Sequence, residues 1–229
     1  MVRSVPYDDA GDVAGGVAGD GAGADIVVQG DAAFVLRSLP AAIKRLRLSG
    51  LRLRLPSSII VDDDVFAFVT ATGQTNPGLR AWSTLQTVHL LPPSTWRDAG
   101  AGAIEKRLTH ELCHLSLWQE STTPSPRLPR FVVEGFCSVV ADQGDSRQPV
   151  DQVLGLLAAG RSLDFEGDST FSYGLAHHVF AAVLRCRGGP GLKAVVDAIA
   201  AGTRVEAALG ATPQRWLQEP CPDSALDLR

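Results

Sequence analysis

The five residues His110-Glu111-Leu112-Cys113-His114 constrain this chain more than any other stretch, because their spacing places two imidazoles on one helical face beside a carboxylate. At about 100° per residue, His114 comes round to within about 40° of His110, while Glu111 stands about 100° away. One helical turn therefore offers two imidazole ligands to a metal ion and a carboxylate beside it. This HExxH spacing is the kernel of a zinc hydrolase. A metal that does chemistry keeps one coordination position for water.

Zinc in such a site takes three protein ligands, so a third donor is needed from elsewhere in the chain. Glu134 is the leading candidate, 20 residues beyond His114 in Leu128-Pro129-Arg130-Phe131-Val132-Val133-Glu134-Gly135. The apolar neighbours imply a buried helix, where an unpaired carboxylate would be costly. The Pro-rich stretch from Thr123 to Pro129 supplies the turn that sends this second helix back across the first. Glu120 is a poorer candidate, because Leu117 stands where the tight turn preceding such a ligand requires glycine. His177 and His178 are adjacent and cannot share one helix face; packing is the favoured role for each, as it is for Cys113.

Around this kernel the 229 residues divide into strands first and helices afterwards, an α+β pattern. Residues 1 to about 23 are dominated by Gly, Ala and Asp and are expected to form a flexible leader. A single domain of residues 24 to 229 follows, with a sheet-containing part over about 24 to 119, a helical part over about 120 to 217 and a short tail. Strands are expected at 26–28, 51–55, 58–61, 79–84 and 87–91. A helix carries Phe34, Leu36, Leu39, Ile43 and Leu46, and the aspartates 62 to 64 open a short helix through Phe66 and Val69. The later helices are expected at about 103–119, 129–142, 150–159, 170–186 and 190–201, with a final pair near 203–217. The strand Leu79 to Thr84 is expected to be the edge beside the HExxH helix, with Trp82 either lining a side-chain pocket or packing in the core.

A net charge of −4, without dense Lys/Arg clustering, argues against nucleic acid as a partner. No apolar run is long enough to span a bilayer, and no signal segment is visible. Cys113, Cys137, Cys186 and Cys221 are widely spaced and contain no CxxC pair, so neither a disulfide framework nor a thiolate zinc site is expected. A reducing, cytoplasmic setting suits them.

Leu108-Thr109-His110-Glu111-Leu112-Cys113-His114, the segment Leu128 to Gly135, Ser172-Tyr173-Gly174-Leu175-Ala176 and the late helix-glycine-helix run ending near Trp216 together resemble the gluzincin metallopeptidases, more particularly the compact peptidase MA-like proteins. The resemblance covers roughly residues 25 to 217. It implies a zincin-like fold with an N-terminal mixed sheet, a mostly helical C-terminal part and a cleft between them. It also implies one Zn2+ per chain held by His110, His114 and Glu134, with Glu111 as general base, Tyr173 assisting the oxyanion and a peptide or protein as substrate. Phe131 stands where tryptophan is common, and Cys113 where a smaller residue is frequent. With no motif for a free amino terminus, endopeptidase action is expected. The alternatives are a zinc-retaining fold that serves structure or partner binding with little hydrolysis, and hydrolysis of a non-peptide amide.

Overall fold

The computed structural model describes residues 2–5, 26–31, 33–76, 79–84, 86–95, 102–120 and 128–222. They form an α+β fold in which a five-stranded mixed sheet precedes a helical part. The strands are β1 (Val2–Val5), β2 (Ile26–Gln29), β3 (Ser58–Val61), β4 (Ala81–Ser83) and β5 (Thr87–Leu90), in the order β1-β2-β3-β5-β4. The central strands β2, β3 and β5 run parallel, and β1 and β4 are antiparallel to their neighbours.

Alternation along each strand sends one set of side chains into the core. Val28 pairs with Ile59, Ile59 with Val88, and Val88 with Ser83, so these residues share one face. Ile26, Val28, Ile59, Val61, Val88, Leu90 and Ala81 are all buried. Two helices, α1 (Ala33–Leu48) and α3 (Ala103–Glu120), pack against each other, and their apolar residues join the same core. An ion pair from Arg45 Nε to Glu105 Oε1, at 2.9 Å, ties them at their margin. Between β3 and β4 lies α2 (Val65–Thr72), capped by Asp64, whose carboxylate accepts from the Ala67 amide at 2.8 Å.

Beyond α3 the chain is helical: α4 (Arg130–Val140), α5 (Val150–Ala158), α6 (Thr170–Ala200), α7 (Val205–Leu209) and α8 (Pro213–Gln218). The break expected between 186 and 190 lies inside α6, where Gly188 has φ 68° and Pro190 follows. A left-handed residue and a missing amide together interrupt the helical hydrogen bonds. No helix among the described residues is long and apolar enough to cross a membrane.

Four expectations are corrected. Residues 2–5 form β1 on the edge of β2, where a flexible leader was expected; residues 6–25 lie outside the described ones. Residues 51–55 form no strand: Arg54 N donates to Ser116 Oγ on α3 at 3.2 Å, so this segment spends hydrogen-bonding capacity on a helix side chain. Asp62 does not cap α2 but is buried against His89, its Oδ2 3.2 Å from Nδ1. The cysteines are paired, Cys113 with Cys137 and Cys186 with Cys221, each with Cα atoms 5.5 Å apart. Separations of 24 and 35 residues carry no local motif; the pairing is set by helices that meet only in the folded chain.

Candidate metal centre

The site is assembled by two crossing helices and one strand. On α3, Leu108, Leu112 and Leu115 share one face of the helix and are buried in the core, and His110, Glu111 and His114 are buried in the same turns on a different face. Their burial follows from β4 lying alongside α3 and α4 crossing it. Glu134 reaches the histidines from α4, a strongly amphipathic helix whose residues Phe131, Val132, Val133 and Phe136 anchor it in the core.

The donor atoms converge. His110 Nε2 and His114 Nε2 are 2.9 Å apart. Glu134 Oε2 is 3.2 Å from His110 Nε2, and Oε1 is 3.7 Å from His114 Nε2. Ligands bonded to a tetrahedral ion of zinc's size stand roughly 3.3 Å from one another, so these three edges bracket the required spacing. The group could hold one metal ion.

Charge points the same way. Burial alone would raise the Glu134 carboxyl, but His114 and the hydrogen bond from His110, with Arg147 adding, outweigh it and hold the pKa down to about 2. Burial pushes the His110 imidazole below its ordinary value. The ionised carboxylate is the form in which Glu134 takes a cation. One feature departs from well-supported metal sites. His110 Nδ1 is buried with no hydrogen-bond partner among the described residues, where a ligating imidazole ordinarily donates.

Glu111 is positioned from the sheet. Ser83 Oγ on β4 donates to Glu111 Oε2 at 2.9 Å, and both residues are buried. Sequence reasoning missed Ser83, because a serine in a short strand carries no signal until the strand is set against the helix. The same alternation sends Trp82, paired with His89, to the opposite face of β4, so it does not line the side of the sheet that faces α3. β4 is the terminal strand beside the HExxH helix, as expected.

Tyr173, in the first turn of α6, lies in the same neighbourhood. Burial, with the charge of Glu134 adding, pushes its phenol above the ordinary value, so the hydroxyl stays protonated at neutral pH. Arg147 was not foreseen: its guanidinium sits 5.5 Å from the centroid of the Tyr173 ring and donates from Nη2 to Gln143 Oε1 at 2.7 Å. His177 and His178 do not join the ligand group. His177 Nδ1 is 3.1 Å from Ser138 Oγ, and burial, reinforced by His178 and Arg147, pushes its pKa down to about 4. His178 donates from Nε2 to the Gln148 carbonyl at 2.8 Å. Leu117 is buried in the core, and the Glu120 side chain lies outside what is described.

The Glu134-Gly135 pair has a steric reason. A Cβ at Gly135 would stand 2.6 Å from Phe180 Cδ2 and 2.9 Å from the Ala176 carbonyl oxygen, so α4 and α6 can meet here only over a bare backbone. Gly135→Ala is expected to cost about 1–3 kcal/mol through overpacking, against a helix-propensity gain of about 1 kcal/mol. Urea denaturation checks this; equal or greater stability in the variant would contradict the close approach.

Compared with known proteins, the chain matches no protein-family model, no curated protein and no solved structure.

Proposed function

We propose that this protein is a zinc-dependent peptidase of zincin-like architecture, with His110, His114 and Glu134 holding one zinc ion and Glu111 acting as general base. The observation that carries the reading is the convergence of three donor groups on one point beside a buried carboxylate. Zinc, when bound, supplies the positive charge that acidifies a water and polarises a carbonyl. Glu111 takes the proton of the attacking water and passes it to the leaving amine. Ser83 occupies one carboxylate oxygen of Glu111, which fixes the plane of the group and leaves Oε1 for the proton. The protonated Tyr173 hydroxyl is the donor for the developing oxyanion. Among the described residues β4 ends the sheet, so an extended substrate can add to its outer side by main-chain hydrogen bonds; endopeptidase action rests on the absence of a motif for a free amino terminus.

A purely structural or binding site has no need of a buried carboxylate held by a serine, which weighs against the zinc-retaining, non-hydrolytic reading. The expectation of a cytoplasmic setting rested on the absence of a visible signal or membrane-spanning segment and on unpaired thiols; the two disulfides favour an oxidising compartment instead.

The test is metal removal. Cleavage of a mixed peptide library should stop on chelation and return with one equivalent of zinc per chain. Cleavage that survives complete chelation would contradict the reading, and a zinc-loaded protein inert across the library would favour the binding role.

A further inference from the structure

The disulfide Cys113–Cys137 joins the two helices that carry the ligands. Cys113 directly precedes His114 and lies two residues after Glu111; Cys137 lies three residues, about one turn, beyond Glu134. Both cysteines are fully buried, at 0% exposure. A disulfide confines its Cα atoms to a separation of about 4.4–6.8 Å, and here they are 5.5 Å apart. Metal–ligand distances tolerate only about 0.2 Å. A covalent clamp one residue from His114 and one turn from Glu134 therefore acts on the edge between imidazole and carboxylate.

We propose that Cys113–Cys137 is a positioning element of the metal centre: it sets the spacing between the helix bearing His110 and His114 and the helix bearing Glu134, and its formation is thermodynamically coupled to metal binding. The inference rests on the metal-centre reading and not on peptidase activity. Coupling is reciprocal. If the oxidised protein binds zinc tenfold more tightly than the reduced one, bound zinc favours the disulfide tenfold, a shift of about 30 mV for this two-electron couple. Cys186–Cys221 ties α6 to the turn after α8 and shares no residue with the site, so it serves as the internal reference.

Two measurements test this on the full chain. In the first, zinc affinity is measured by competition with a chromophoric chelator for the wild type, for Cys113→Ala/Cys137→Ala and for Cys186→Ala/Cys221→Ala, with circular dichroism to verify folding. The first pair is expected to lose about tenfold or more in affinity, in the range that supporting groups of metal sites contribute, and the second pair to stay within twofold. In the second, which needs no variant, the wild type is equilibrated with reduced and oxidised dithiothreitol at a free zinc concentration fixed by a chelating buffer, and each cysteine pair is counted by alkylation. Two electrons and two protons pass from the dithiol to the protein disulfide, giving two protein thiols and the cyclic disulfide of the reagent. Zinc is expected to shift Cys113–Cys137 by about 30 mV or more toward the disulfide and to leave Cys186–Cys221 in place. Equal shifts in both pairs, no shift, or a shift toward the thiols would overturn the coupling while leaving the metal centre standing. Failure of the wild type to bind zinc would overturn the metal centre and the coupling with it.

Discussion

Glu111→Gln is expected to keep its zinc and lose peptide hydrolysis by about 10²- to 10⁴-fold, the usual contribution of a general base, equivalent to about 3–5 kcal/mol of barrier. The substitution preserves shape, and the amide oxygen can still accept from Ser83 Oγ, so the local hydrogen bond survives. What disappears is the capacity to take a proton from water. Neither His110 nor His114 can replace it, because their Nε2 atoms face Glu134. The check is kcat on a cleaved peptide alongside zinc stoichiometry in the same preparation. Undiminished kcat with zinc bound would remove Glu111 from the mechanism. Parallel loss of zinc and activity would move it into the ligand set.

The largest expected effect on stability lies away from the site. Trp216 on α8 is 1% exposed, donates from Nε1 to the Leu209 carbonyl at 3.2 Å and has the Arg187 guanidinium 5.2 Å from its ring centroid. It closes the C-terminal helices onto α6. Trp216→Ala leaves a cavity that these short helices cannot collapse to fill, at a cost of about 3–5 kcal/mol. The Leu209 carbonyl keeps the Arg187 Nη2 donor at 2.6 Å, so no buried acceptor is orphaned and the loss is one of packing. Denaturation should show the destabilisation, while zinc affinity under native conditions stays unchanged. A loss below about 1 kcal/mol would mean that α7 and α8 are not cooperative with the rest of the fold.

Local signals were legible in the sequence. The HExxH helix was expected over 103–119 and spans Ala103–Glu120, and Gly188 with Pro190 interrupts α6 where composition placed a boundary. Alternating residues marked β4 and β5 to within two residues at each end. Pairing across the fold was not legible. β1 is four residues long, too short for its alternation to stand out from a Gly- and Ala-rich surround, and it depends on β2 for its definition. Residues 51–55 alternate as a strand does, yet their backbone turns to Ser116 on α3. Both disulfides, the Ser83 support of Glu111 and the placement of Arg147 over Tyr173 are products of helix and sheet packing. No spacing rule along the chain reports them.

X-ray absorption at the zinc edge tests most directly whether His110, His114 and Glu134 share one ion. Protein loaded with one equivalent of zinc should show only nitrogen and oxygen neighbours at about 2.0–2.2 Å, with two imidazole signatures. Sulfur neighbours at about 2.3 Å, or a spectrum unchanged when His110, His114 or Glu134 is replaced by Ala, would contradict it.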